Sequence, residues 1–275
     1  MKTSPFAFTS VVKSGLIIFA LLSLTACQTG KTVISPDGPI GMIQPEFTDD
    51  LDSLSRWYAH AMADAENPRP ATVVNTLTQI VGNTTLIDTL INGERHVKMV
   101  SWKNKPTYWK KDSSYSVGSK YAVWVTVAPF IQDKCIVYFQ QEKDPEMRLR
   151  QLLGLQPFTI ETDFVEIWVR PADLFRPCPD PETTDTGCSL DLPEDVTDEH
   201  RQWFNHIRAV QYNDCNDTQF NKYGYPWTQL GYTYDWNPEN PTHVGLSEFI
   251  IKSNAEVFIR GIYPTKTYCS VQAAR

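Results

Sequence analysis

Between Tyr225 and Glu248 the chain carries Asp235, His243 and Glu248, three side chains able to move protons. The same segment holds Tyr225, Trp227, Tyr232 and Trp236, four rings able to grip a ligand. Carboxyl groups and imidazole are the usual players in general acid–base catalysis near neutral pH. An enzyme built here would use Glu248, Asp235 or His243 on a glycan or another small molecule. Seven of the fourteen residues in YGYPWTQLGYTYDW, Tyr223 to Trp236, are Tyr, Trp or Leu, and Asp235 and Asn237 flank Trp236. Aromatic faces beside carboxylate and amide groups suit a sugar-binding cleft. The same density also suits a core in which Tyr and Trp tether irregular chain through their polar ends. Packing is expected for Trp227, which follows Pro226 in a confined turn. Exposure is expected for Trp236, among Asp235, Asn237 and Pro238.

No metal or cofactor is expected. Asp235, Asn237, Glu239 and Asn240 lack the glycine and the bidentate spacing of an EF-hand calcium loop. His200 and His206 are six residues apart on one predicted helix and diverge by about 120°. There is no P-loop, dinucleotide fingerprint or G-x-S-x-G.

The element that must organise these residues is the stretch DFVEIWVRPADLFRPCP, Asp163 to Pro179. Phe164 to Val169 is a short apolar run, read as a strand covered on both faces near the middle of a sheet. Val165, Ile167 and Val169 take one face, and Phe164, Glu166 and Trp168 the other. Glu166 is then a buried acid candidate, with Arg170 as its expected partner.

Strands are further predicted at His96–Trp102 and Tyr121–Val127. Ser247–Ile251 and Glu256–Ile262 read as a closing hairpin. Helices are predicted from Leu51 to about Ala61, over 71–81, over Phe130–Gln141, over Asp144–Leu153 and over Asp198–Val210. Asp144 and Thr197 are placed to cap the last two. Lys103 to Lys120 shows no clear period. Strands and helices mix without strict alternation, so the fold class is α+β: a single domain with a mixed or antiparallel sheet and several packed helices.

With 41% hydrophobic residues the chain has ample material for a core. The net charge of −7 and the lack of a basic patch exclude nucleic acid as a partner.

The N-terminus carries Lys2 and Lys13, then the apolar GLIIFALLSL, Gly15 to Leu24, then Leu24-Thr25-Ala26-Cys27. The apolar run is too short for a permanent membrane span. The pattern resembles the lipobox of bacterial lipoproteins. That resemblance implies cleavage before Cys27, lipidation of its thiol, and a membrane partner held through acyl chains. Gln28 in place of aspartate implies the outer membrane, facing the periplasm. Loss of Lys2 and Lys13 takes the charge from −7 to −9. The resulting organisation is residues 1–26 signal peptide, 27–48 lipidated cysteine and flexible tether, and 49–275 periplasmic domain. A glycan or an envelope protein is the expected partner.

In that oxidising compartment the remaining cysteines are disulfide candidates. Cys178 and Cys188 close a short Pro- and Gly-bearing loop, and Cys215 and Cys269 form the second expected pair. Cys135, in DKCIVYF, is expected as a buried thiol.

Two longer motifs, WVRPADLFRPCPD at 168–180 and GYPWTQLGYTYDW with VGLSEFII between 224 and 251, resemble a family of uncharacterised bacterial proteins. The resemblance runs from about His96 to the C-terminus and implies one folded domain. Glu248, opening SEFII, is also similar in placement to the catalytic glutamate of ADP-ribosyltransferase-like folds. The Arg-or-His strand and Ser-Thr-Ser element of those folds have no match here.

Overall fold

Residues 51–119, 122–212 and 224–270 are described by a computed structural model. In chain order the elements are α1 (Leu51–Ala65), β1 (Asp88–Ile91), β2 (Glu94–Lys103), β3 (Ser113–Ser116), β4 (Val123–Val127), α2 (Ala128–Gln141), α3 (Pro145–Leu152), β5 (Asp163–Val169), β6 (Leu174–Phe175), α4 (Asp198–Tyr212), β7 (Tyr232–Tyr234), β8 (Val244–Ile251), β9 (Glu256–Pro264) and α5 (Thr265–Tyr268). They form a single α+β domain. Every strand pairing is antiparallel, and the main order is β3-β9-β5-β2-β4-β8-β6. No helix among the described residues is long and apolar enough to cross a membrane.

The organising strand sits where its composition places it, between β9 and β2. Its two faces divide by period two. Val165, Ile167 and Val169 join a cluster with Val97, Met99, Val125, Phe249, Ile251, Val257 and Ile259. Phe164 joins a second cluster with Val100, Trp102, Ile131, Leu149, Leu152 and Tyr268, on the face that α2, α3 and α5 cover. Glu166 pairs with Lys98 across β2 and β5 at 3.4 Å, whereas Arg170 turns to Asp173 and Glu94. The expected Glu166–Arg170 pair is therefore replaced by a cross-strand one. Arg170 lies beyond the end of β5 and finds its acids there.

β8 and β9 form as expected, but they do not pair as a hairpin. Three strands separate them in the sheet, although only Lys252–Ala255 connects them. Four strand spacings in a flat sheet would span about 19 Å, more than five extended Cα steps comfortably cover. The sheet must curl to let the link close. The first cluster agrees, since it gathers side chains from strands at opposite ends of the order.

The predicted helix over 71–81 is absent beyond a single turn at Pro70–Thr72. Its β-branched residues weaken helix formation, and the segment finds other backbone partners. The N–H groups of Leu77 and Ile80 donate to Thr186 and Thr183 at 2.9 and 2.8 Å. Those acceptors belong to the loop closed by Cys178–Cys188, which forms as expected. Arg176, fully buried, holds that loop through Asp185 and the Gly187 carbonyl.

The second disulfide differs from expectation. Cys269 bonds Cys135, with Cα atoms 5.2 Å apart, and so does not pair with Cys215, which lies outside the described residues. Cys135 is thus not a free thiol. α2 buries Ala128, Ile131, Cys135 and Tyr138 on one stripe, and α5 sets Cys269 directly against it. The caps follow the sequence: Asp144 accepts the Met147 N–H at 2.9 Å, and Thr197 accepts the His200 N–H at 3.2 Å.

Candidate functional site

β4 and β8 lie in register with Thr126 opposite Glu248. Opposed residues share a face, so Glu248, Thr126 and Trp124 all point to the helix-bearing side. There they border a cavity of about 340 Å³. Trp102 and Phe164 contribute from β2 and β5, and Tyr225 and Trp227 from the segment before β7. Trp227 is fixed at both ends: its indole N–H donates to the Pro177 carbonyl at 3.1 Å, and its ring meets Trp124 edge-on at 6.2 Å. Gln211 of α4 accepts the Tyr225 N–H at 2.9 Å. Gly154 closes the far side. Its positive φ of +67° ends α3, and a Cβ there would lie 3.3 Å from the Tyr234 carbonyl.

Glu248 is the polar centre of this wall. It is 8% exposed, and its Oε1 has no hydrogen-bond partner. Burial alone pushes its carboxyl up to about 8, so it carries a proton at neutral pH. Besides Tyr225 and Tyr234, two more ionisable groups line the cavity. Glu161, just ahead of β5, has an unpartnered Oε2, and burial raises its pKa against a hydrogen bond with Thr159 and the pull of Arg150 and Lys103. Lys103, at the end of β2, is lowered by burial, with Glu161 opposing that shift. Lys103 and Glu161 thus face each other's charge, whereas Glu248 has no such partner.

The three predicted acid–base residues do not converge. Asp235 is 1% exposed and clamped by Arg148 through two hydrogen bonds of 3.0 and 2.7 Å. It also accepts from the Asn237 N–H and the Asn240 amide. This acid anchors the 235–240 turn beside a separate, more polar cavity of about 460 Å³. His243 stacks on Tyr234 at 4.9 Å, with Nδ1 2.9 Å from the Asp235 carbonyl, and borders neither cavity. Glu248 alone reaches the aromatic cavity, and it sits within β8 rather than opening the strand.

The four predicted rings divide in the same way. Tyr225 and Trp227 line the cavity. Tyr232 is buried, its hydroxyl donating to the Thr72 carbonyl at 2.8 Å. Trp236, expected exposed, is 2% exposed. Its indole N–H donates to the Leu155 carbonyl at 2.9 Å, and its ring meets Tyr58 of α1 edge-on at 5.8 Å. The flanking polar residues are satisfied by each other, so they do not draw the ring into water.

Sequence reading missed Trp102, Trp124, Lys103 and Glu161. The two tryptophans sit on strand faces identified from alternation alone, and the pattern marks that face as core. Lys103 and Glu161 come to one cavity because β2 and β5 pair with Lys103 opposite Asp163.

Asp180, Glu182 and Asp185 lie close enough to share a cation. Asp185, however, already pairs with Arg176 at 2.9 Å. No family model matches the chain, and neither a curated protein nor a solved structure matches it.

Proposed function

We propose that this chain is a lipid-anchored protein of the bacterial envelope whose domain binds a small ligand in the aromatic cavity, with Glu248 as its polar anchor. Glu248 carries this reading. A buried carboxyl lacking a partner destabilises the fold, and such groups concentrate where a ligand completes the site. The cavity volume lies within the ordinary range for small-molecule pockets, and six aromatic side chains share its wall with aliphatic and polar ones. A screen of small molecules and peptidoglycan fragments, read by tryptophan fluorescence, should give hits that weaken tenfold or more in Trp124→Ala. Trp124 is only partly buried, so its truncation should lower the melting temperature less than loss of a core ring does. Hits of unchanged affinity in both Trp124→Ala and Glu248→Gln would rule this cavity out as the binding site.

A second reading has its own observation, the pair of unsatisfied carboxyl groups in one cavity. Glu248, protonated at neutral pH, would serve as general acid, with Glu161 and Lys103 assisting charge on a bound substrate. Turnover of a screened hit, lost in Glu248→Gln while binding persists, supports that role. Binding with no turnover leaves the domain a receptor.

Anchoring rests on the N-terminal pattern ending at Cys27. Labelled palmitate should enter the wild type, and Cys27→Ser should abolish both labelling and pelleting with membranes. A soluble, unlabelled wild type would overturn it. The outer membrane, reached through the periplasm, is the proposed address.

A further inference from the structure

We propose that the pocket takes an organic cation: a ligand whose ammonium group pairs with Glu248 while its body lies against Trp124 and Trp227. The proposal rests on the cavity being the ligand site and adds the ligand's chemical class. Three observations lead to it. The first is charge. Arg150 and Lys103 both draw Glu161 towards its charged form, whereas no cation does so for Glu248. The second is geometry. Glu248 is nine-tenths buried, borders the cavity, and has a free Oε1. A ligand in the cavity can supply that donor. The third is the wall itself. Indole faces attract cations through their quadrupole, more strongly once water is excluded. A cation supplies both a donor for the free Oε1 and the charge that lets Glu248 ionise; an anionic ligand would oppose that ionisation, and a neutral one would leave Glu248 protonated.

Binding then carries a proton balance. In the empty pocket Glu248 holds its proton at neutral pH. When the ammonium docks, Glu248 ionises and releases that proton to solvent, and the new ion pair holds the charge. Affinity should therefore rise between pH 6 and pH 8. The other titratable groups whose charge reaches Glu248 are Tyr212 of α4 and Tyr232 of β7; both are held neutral across that range by raised pKa values. β4 presents no titratable side chain to it. Across the cavity stand Glu161, Lys103, Tyr225 and Tyr234.

The test uses the folded domain and four probes: phenethylammonium, 2-phenylethanol, phenylacetate and N-acetylglucosamine. Titration calorimetry at pH 8 should show phenethylammonium binding at least tenfold tighter than 2-phenylethanol, with phenylacetate weakest. Below pH 8 the heat should differ between phosphate and Tris buffers as proton release requires. Glu248→Gln, checked for folding by circular dichroism, should erase the preference for the cation, and Trp124→Leu should reduce it several-fold. Equal binding of cation and alcohol, or preferred binding of the sugar, would overturn the cation assignment and leave the pocket reading standing. Failure of all four probes in the wild type would overturn both.

Discussion

Glu248→Gln is expected to stabilise the domain at alkaline pH, and the gain should grow as pH rises. The sign follows from proton binding. An unfolded glutamate loses its proton near pH 4.5, while Glu248 in the fold keeps it to about 8. Between those values the folded state binds a proton that the unfolded state does not, so stability falls as pH rises. The loss begins near pH 4.5 and is complete just above pH 8. Three to four pH units of this linkage amount to at most about 5 kcal/mol. Glutamine has nearly the same shape and does not titrate, so the slope should vanish with it. Urea unfolding of both proteins at pH 5 and pH 8.5 gives the comparison. The wild type should lose several kcal/mol relative to the variant between those conditions. Parallel pH profiles would show that Glu248 is solvated or paired in solution, and its role as ligand anchor would fall with that result. A bound cation should flatten the wild-type slope, because it stabilises the ionised form in the fold.

Trp236→Ala is expected to be the most damaging single change in the aromatic segment, and for structural reasons. α1 buries Leu54, Tyr58, Ala61 and Ala65 along one stripe, and that stripe packs on Tyr234 and Trp236. Removing the indole leaves a cavity under α1 and strips the Leu155 carbonyl of its donor. Truncating a buried aromatic costs about 3–5 kcal/mol, which in a domain of this size lowers the melting temperature by of order 10 °C or more. Trp236→Phe keeps most of the packing and should recover much of the loss. Differential scanning calorimetry of the three proteins decides the matter. A Trp236→Ala protein melting near wild type would mean that α1 does not depend on this contact. Trp124→Ala should behave in the opposite way, folding almost normally and losing ligand. That contrast separates the ring that carries the helix from the ring that lines the pocket.

The two predictions describe opposite local economies within one aromatic stretch. Trp236, Tyr232 and Asp235 are each satisfied by named partners, so they hold the segment in place and offer nothing to a ligand. Glu248 is left unsatisfied by the fold. Selection for stability alone would replace it, since a neutral residue there folds better above pH 5. A site that trades stability for an interaction made only with its ligand has this signature.

Much of the fold was legible in the residues. The alternation in Phe164–Val169 specified a strand with two buried faces, because side chains on a strand point alternately whatever its neighbours are. Asp144 and Thr197 marked helix starts, because a cap satisfies backbone donors only three residues away. Cys178 and Cys188 met because they lie only ten positions apart and the loop between them turns. These features depend on short stretches of chain, and the α+β class follows from adding them up. What the residues did not show depends on which distant stretches meet. Ser247–Ile251 and Glu256–Ile262 looked like partners because they adjoin in sequence, yet the curled sheet gives each a different neighbour. Cys269 bonded Cys135 because α5 docks beneath α2, a contact spanning 134 positions of chain. Asp235 and Glu248 carry the same functional group, and only tertiary packing gave one an arginine and left the other facing a cavity. Local sequence sets the direction of a side chain, whereas its burial and its partner are properties of the closed fold.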